Sequence, residues 1–144
     1  MGFFDRNREQ LANKGIDDAR LPPGQYLTER FPVLHVGDVP TYAPGDWDLK
    51  IFGLVDKPFT INLDELKSMP AVTLLTDIHC VTKWSKFDTT WKGVRVRDLF
   101  ERAGMQAGAA YIMGHAEHGY TANLPLGDVL LDESLVVYEY EGEE

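Results

Sequence analysis

Glycine and proline interrupt this chain so regularly that no segment runs long enough for a helical bundle. The 13 glycines and 8 prolines are ordinary in number, yet they fall as punctuation, at Pro22-Pro23-Gly24, Pro32, Pro40, Pro44-Gly45, Pro58, Pro70, Gly93, Gly104 and Pro125. Segments bounded in this way fold as strands and loops with a few short helices. Hydrophobic residues make up 44% of the 144 positions, enough for one compact domain with a sizeable core and too few for two. The expected class is α+β, mainly β.

Residues 1–25 read as a polar N-terminal arm and residues 26–144 as the domain. Pro32 keeps Tyr26 to Gly37 from being a central strand. Alternation predicts a strand over Asp48 to Gly53, and a second extended piece follows at Phe59-Thr60-Ile61. Asn62 with Glu65 three residues on is a capping-box pattern, so a short helix is expected from Leu63 to Ser68. Val72, Leu74, Thr76, Ile78 and Cys80 then share one face of a strand. A polar stretch from Thr82 to Thr90 follows, and Trp91-Lys92-Gly93-Val94 leads into a helix over Val96 to Ala103. Val96, Leu99, Phe100 and Ala103 form its apolar face, with Gly104 as the left-handed stop. Further strands are expected at 109–114 and 120–124, a helical turn at 126–131, and a last strand at 135–141. That strand leaves an edge that could pair with another chain into an oligomer.

The formal charge of −9 disfavours nucleic acid and anionic membranes as partners, since both call for clustered Lys and Arg. The first residues hold no apolar signal core, Arg6 replaces the Ser or Thr of a myristoylation motif, and no run of about 18 apolar residues occurs. The single cysteine excludes an internal disulfide, so the cytoplasm is the expected location. Without Cys-x-x-Cys-His, no haem site is expected.

Cys80 is where the chemistry of the chain concentrates. A lone cysteine is often a small buried hydrophobe. As a thiolate it is also a nucleophile and a soft metal ligand, and Lys83 could favour that form by its charge. His79 alternates to the opposite face, which makes it a poor base. His115 and His118 are other candidate bases, but they match no hydrolase spacing, and with one cysteine and four scattered histidines a four-ligand zinc site is weak. One soft thiolate suits a metal whose remaining ligands arrive with a cofactor.

The run Asp77 to Ser85, followed by Trp91-Lys92-Gly93-Val94, resembles the cysteine segment of the sulfite oxidase family, especially its bacterial sulfite oxidase-like branch. Glu29-Arg30-Phe31-Pro32-Val33-Leu34, Lys50 to Val55 with Pro58-Phe59, Gly119 to Leu126 and Val136 to Glu143 resemble further segments of that family, in its order, over about residues 26 to 144. The resemblance implies a sulfite oxidase-type molybdopterin-binding domain and an oxidoreductase that moves an oxygen atom to or from a small substrate such as sulfite or a sulfoxide. It implies a molybdenum–molybdopterin cofactor, an external electron carrier, and Cys80 as both metal ligand and catalytic residue. Tyr120, the second expected catalytic residue, matches the tyrosine that lines the family's substrate pocket; Lys83 and His118 are expected in that pocket, and Arg30, Phe31, Val33 and Leu34 with Cys80 are expected to contact the cofactor. Family members place arginines soon after the cysteine, where this chain has Val81-Thr82-Lys83-Trp84. They also continue past the Glu-x-x-Gly turn with a basic segment that holds the pterin phosphate. A chain ending at Glu144 is therefore expected to be an incomplete domain that binds its cofactor weakly, and the alternative is a non-catalytic interaction module on the same fold.

Overall fold

The computed structural model describes residues 3–32, 35, 37–43 and 45–143, with the backbone alone at 3–6 and 8. In chain order the elements are α1 (Phe3–Asn13), β1 (Tyr26–Leu27), β2 (Asp48–Ile51), β3 (Phe59–Asn62), α2 (Leu63–Lys67), β4 (Ala71–His79), β5 (Trp84–Arg95), α3 (Val96–Ala103), β6 (Tyr111–His115), β7 (Thr121–Pro125), α4 (Leu126–Val129) and β8 (Leu135–Tyr140). Strands dominate and the helices are short, as the punctuation predicts. Two compact units form, one from Met1–Val33 with Leu75–Thr90, the other from Leu34–Leu74 with Trp91–Glu144.

In the first unit the ends of β4 and β5 make a hairpin, and β1 adds in parallel to the start of β5, with Tyr26 opposite Trp84 and Leu27 opposite Ser85. The residues expected to be an arm take part in this packing. Leu11 of α1 is 1% exposed, and the buried Asn7 side chain donates to the Gln25 carbonyl at 3.4 Å. The stretch Thr82 to Thr90, read from sequence only as polar, is mostly strand. Its inward side chains include Ser85 and Thr89, both fully buried, and the Thr89 hydroxyl donates to the Thr76 carbonyl at 2.6 Å. A buried hydroxyl that has a partner can occupy an inward strand position, and it hides the apolar alternation that marks a strand.

The second unit holds the apolar core. Ile51, Val55, Ile61, Leu66, Val94, Leu99 and Ala103 cluster there, and each large aliphatic side chain so buried contributes about 1.5–3 kcal/mol. The strands β2 and β3 pair antiparallel with Leu49 opposite Ile61. The expected capping box closes the start of α2, where the Asn62 side chain accepts from the Glu65 N–H and the Glu65 carboxylate accepts from the Asn62 N–H. Leu99 and Ala103 are the buried face of α3. Gly104 ends that helix at φ +70°, and its N–H returns to the Phe100 carbonyl at 2.9 Å. The strands β6 and β7 form a two-stranded antiparallel ribbon, and β8 pairs antiparallel with the end of β5. No helix among the described residues is long and apolar enough to cross a membrane.

Candidate functional site

Cys80 follows the last residue of β4 and opens the turn to β5. Its carbonyl accepts from the Lys83 N–H at 3.0 Å, and its N–H donates to the Trp84 carbonyl at 2.9 Å. Lys83 has φ +71°, so a turn followed by a left-handed residue closes the hairpin, a common three-residue solution. The thiol is left half-buried, 3.2 Å from the Thr82 hydroxyl. That hydroxyl, with the backbone N–H groups of Thr82 and Val81, holds the thiol below its usual range against a smaller effect of burial. Lys83, the cation the sequence suggested for this role, is not among the causes. The turn therefore favours a thiolate through hydrogen bonds to the charged form. Thr82 was legible only as the second residue after a turn cysteine, where a hydroxyl folds back on its neighbour.

Behind the thiol lies a polar network. The Gln25 amide nitrogen donates to the Cys80 carbonyl at 3.0 Å, and the Ser85 hydroxyl donates to the Gln25 side-chain oxygen at 3.3 Å. His79 Nδ1 lies 2.8 Å from the same hydroxyl. A carbonyl can only accept, so the amide nitrogen must face Cys80 and its oxygen Ser85. The one Ser85 proton is then committed, and His79 must donate from Nδ1. His79 is thus a fixed member of the scaffold, consistent with its placement on the face away from Cys80.

The base of the hairpin is held by Arg20. Its guanidinium donates to Asp77 at 2.7 and 2.6 Å and to Asp88 at 3.2 and 2.5 Å, and it lies 4.4 Å over the Phe87 ring. The Arg20 hydrogen bond holds the Asp77 carboxyl below the usual carboxylate range, and the Asp88 N–H reinforces this. A depressed carboxylate stabilises the fold above its unfolded pKa, about 3.9, and the contribution is lost as pH falls through the folded value. Arg20→Ala is expected to cost about 1 kcal/mol at pH 7, allowing for solvent screening. The gap between the thermal melts of the two proteins should narrow as pH falls below about 3.9; a gap unchanged with pH would mean that the pairing with Asp77 is not its source.

Arg30 and Phe31 are also in the first unit. The Arg30 N–H donates to the Thr28 hydroxyl, which donates in turn to the Arg30 carbonyl at 2.7 Å. Phe31 meets Trp84 edge-on with ring centroids 5.7 Å apart, and the Lys86 ammonium lies 4.9 Å over the Phe31 ring. Val33 and Leu34 lie outside the described residues. His118 and Tyr120 belong to the second unit, where both line an open hollow of about 1790 Å³ whose walls include Leu49, Ile112 and Val136. His118 Nε2 is 2.7 Å from the Asp38 carbonyl, and Gly37 packs against the His118 ring so closely that a Cβ there would lie 3.0 Å from it. Tyr120 is 55% exposed. The Glu117 carboxylate beside them accepts from the Tyr42 hydroxyl at 2.6 Å.

The donor set can be tested against a molybdenum–pterin group. Among the described residues no three His, Cys, Asp or Glu side chains gather to hold a metal ion, while one half-buried thiol is biased towards the thiolate. The indole N–H of Trp84, at the base of the same turn, is buried without a hydrogen-bond partner. An orphaned buried donor is uncommon and calls for an acceptor. A soft thiolate and a spare donor suit a group that brings its own remaining ligands.

The fold matches the crystal structure of the sulfane dehydrogenase SoxCD from Paracoccus pantotrophus, with a TM-score of 0.61 over 72% of this chain and 31% of that one, at 20% identity. It is a sulfite oxidase-type molybdopterin fold. The chain belongs to the oxidoreductase molybdopterin-binding domain family, which matches residues 36–144. It is 47% identical over 142 residues to the uncharacterized oxidoreductase YuiH of Bacillus subtilis, covering 98% of this chain and 69% of that protein. Over 73 residues it is 34% identical to the catalytic subunit of the protein-methionine-sulfoxide reductase MsrP of Ralstonia nicotianae, spanning 50% of this chain and 22% of that one.

Proposed function

We propose that this domain holds a molybdenum–molybdopterin group through Cys80 and transfers an oxygen atom to or from a small substrate, of which sulfite and sulfoxides are the leading classes. The observation that carries the reading is the Cys80 turn, in which Thr82 and the turn amides favour the thiolate in a chain of a molybdopterin-binding family. When bound, the cofactor supplies the two-electron change that accompanies oxygen-atom transfer. The chain supplies a soft ligand and the spare Trp84 donor.

Arg30 and Phe31, with Val33 and Leu34, are the proposed cofactor contacts. Lys83, His118 and Tyr120 are the proposed substrate contacts, and an external carrier exchanges the electrons. Lys83 is a flexible point charge, whereas arginine offers a fixed two-pronged fork to an oxyanion. That difference, together with the likeness to a sulfoxide reductase subunit, favours a neutral sulfoxide over sulfite. The test is to purify the chain from a host that makes the cofactor, then measure molybdenum, pterin and sulfoxide-dependent oxidation of a reduced viologen dye. Molybdenum and pterin in equal amounts at partial occupancy of the chain, with dye oxidation, are expected; protein carrying neither would end the proposal.

A further inference from the structure

We propose that Gln25 is a positioning residue for Cys80, fixing through its side-chain amide the direction in which the turn presents the sulfur. The inference rests on the reading of Cys80 as a metal ligand. The sulfur swings about the Cα–Cβ bond, and the backbone on either side of Cys80 sets where that bond points, so the orientation of the peptide after Cys80 limits where the sulfur can reach. Two donors define the plane, since the Cys80 carbonyl accepts from the Lys83 N–H within the turn and from Gln25 Nε2 outside it, each at 3.0 Å. The turn bond, like the Val81 N–H that bonds the sulfur, belongs to the turn and moves with it. The second, from a residue 55 positions away, ties the turn to a separate segment.

Gln25 is itself held on three sides. Its N–H donates to the Pro22 carbonyl at 3.1 Å, its carbonyl accepts from the buried Asn7 side chain, and its side-chain oxygen accepts from the fully buried Ser85 hydroxyl, which His79 supports. The neighbouring Tyr26 N–H donates to the Lys83 carbonyl at 2.9 Å, so the same segment grips both ends of the turn. A side chain that only filled space would not need its amide oriented by two partners of opposite hydrogen-bonding sense. In positioned sites, supporting shells of this kind set ligand geometry.

The test compares three variants of the unloaded chain by the rate at which iodoacetamide alkylates Cys80 at one fixed pH. Gln25→Met keeps the length and removes both bonds, while Gln25→Glu keeps the acceptor for Ser85 and removes the donor to Cys80. Arg20→Ala loosens the same N-terminal segment without touching the Cys80 carbonyl. Both Gln25 variants are expected to change the rate at least about 5-fold, and Arg20→Ala less than about 2-fold. Equal changes in all three, or a Gln25→Glu protein that reacts like wild type, would overturn the proposal. In cofactor-loaded protein, both Gln25 variants should lose molybdenum on dialysis at least about 10-fold faster than wild type. Wild-type protein that never loads would defeat the functional reading, while the alkylation result would still decide the role of Gln25.

Discussion

Gly93→Ala is expected to cost the second unit about 3 kcal/mol, near the upper end for an overpacked site. A Cβ at Gly93 would lie 2.2 Å from the Val136 carbonyl oxygen and 2.8 Å from both the Val136 carbonyl carbon and the Val137 Cα. All three are backbone atoms, so no side-chain rotation can make room. The ladder between β5 and β8 shifts register between Lys92 and Gly93, and the bulge brings the strands together at this point. Relief would require β8 to move away, breaking the pairing of Val94 with Val136 and Arg95 with Leu135 and uncovering Val94, which is fully buried. In a chain of this size the melting temperature should fall by about 10 °C. A melt within about 2 °C of wild type would show that β8 does not pair with β5 in this register.

Cys80→Ala should do the reverse, with little effect on stability and a large one on activity. The Cys80 backbone makes its two turn bonds whatever the side chain, and the half-buried sulfur bonds only within the turn, to the Thr82 hydroxyl and the Val81 and Thr82 N–H groups. The change in stability should stay within about 0.5 kcal/mol. Oxygen-atom transfer and molybdenum content should each fall at least about 100-fold, since removing a ligand exceeds the loss caused by removing its supports. Equal molybdenum in the two proteins would sink Cys80 as the ligand. The two substitutions together separate the scaffold from the site, as one should fail by unfolding and the other while folded.

Local signals were the most legible in the sequence. The Asn62–Glu65 box and the Val96 to Ala103 helix with its glycine stop depend on neighbours in the chain, and both were readable to within a residue. The strand β5 was hidden because its inward positions include Ser85 and Thr89, whose polarity is neutralised by partners on other segments. Cys80 stood out as the lone reactive side chain at a strand end. The cause of its thiolate bias did not, since charge counting pointed to Lys83 and geometry assigns the effect to Thr82 and two backbone N–H groups. Gln25 carried no signal at all, because an amide 55 residues from its partner leaves no local pattern.

That separation also orders the birth of the molecule. The hairpin between β4 and β5 closes over a few residues, an event of microseconds. The bonds from Arg20 and Gln25 must close loops of 57 and 55 residues, a slower step that meets the entropy of long-range contact. On the ribosome Arg20 and Gln25 emerge first, and they cannot make these bonds until Asp77, Cys80 and Asp88 have left the tunnel. The bracing of the cysteine turn thus depends on a segment made more than fifty residues before it.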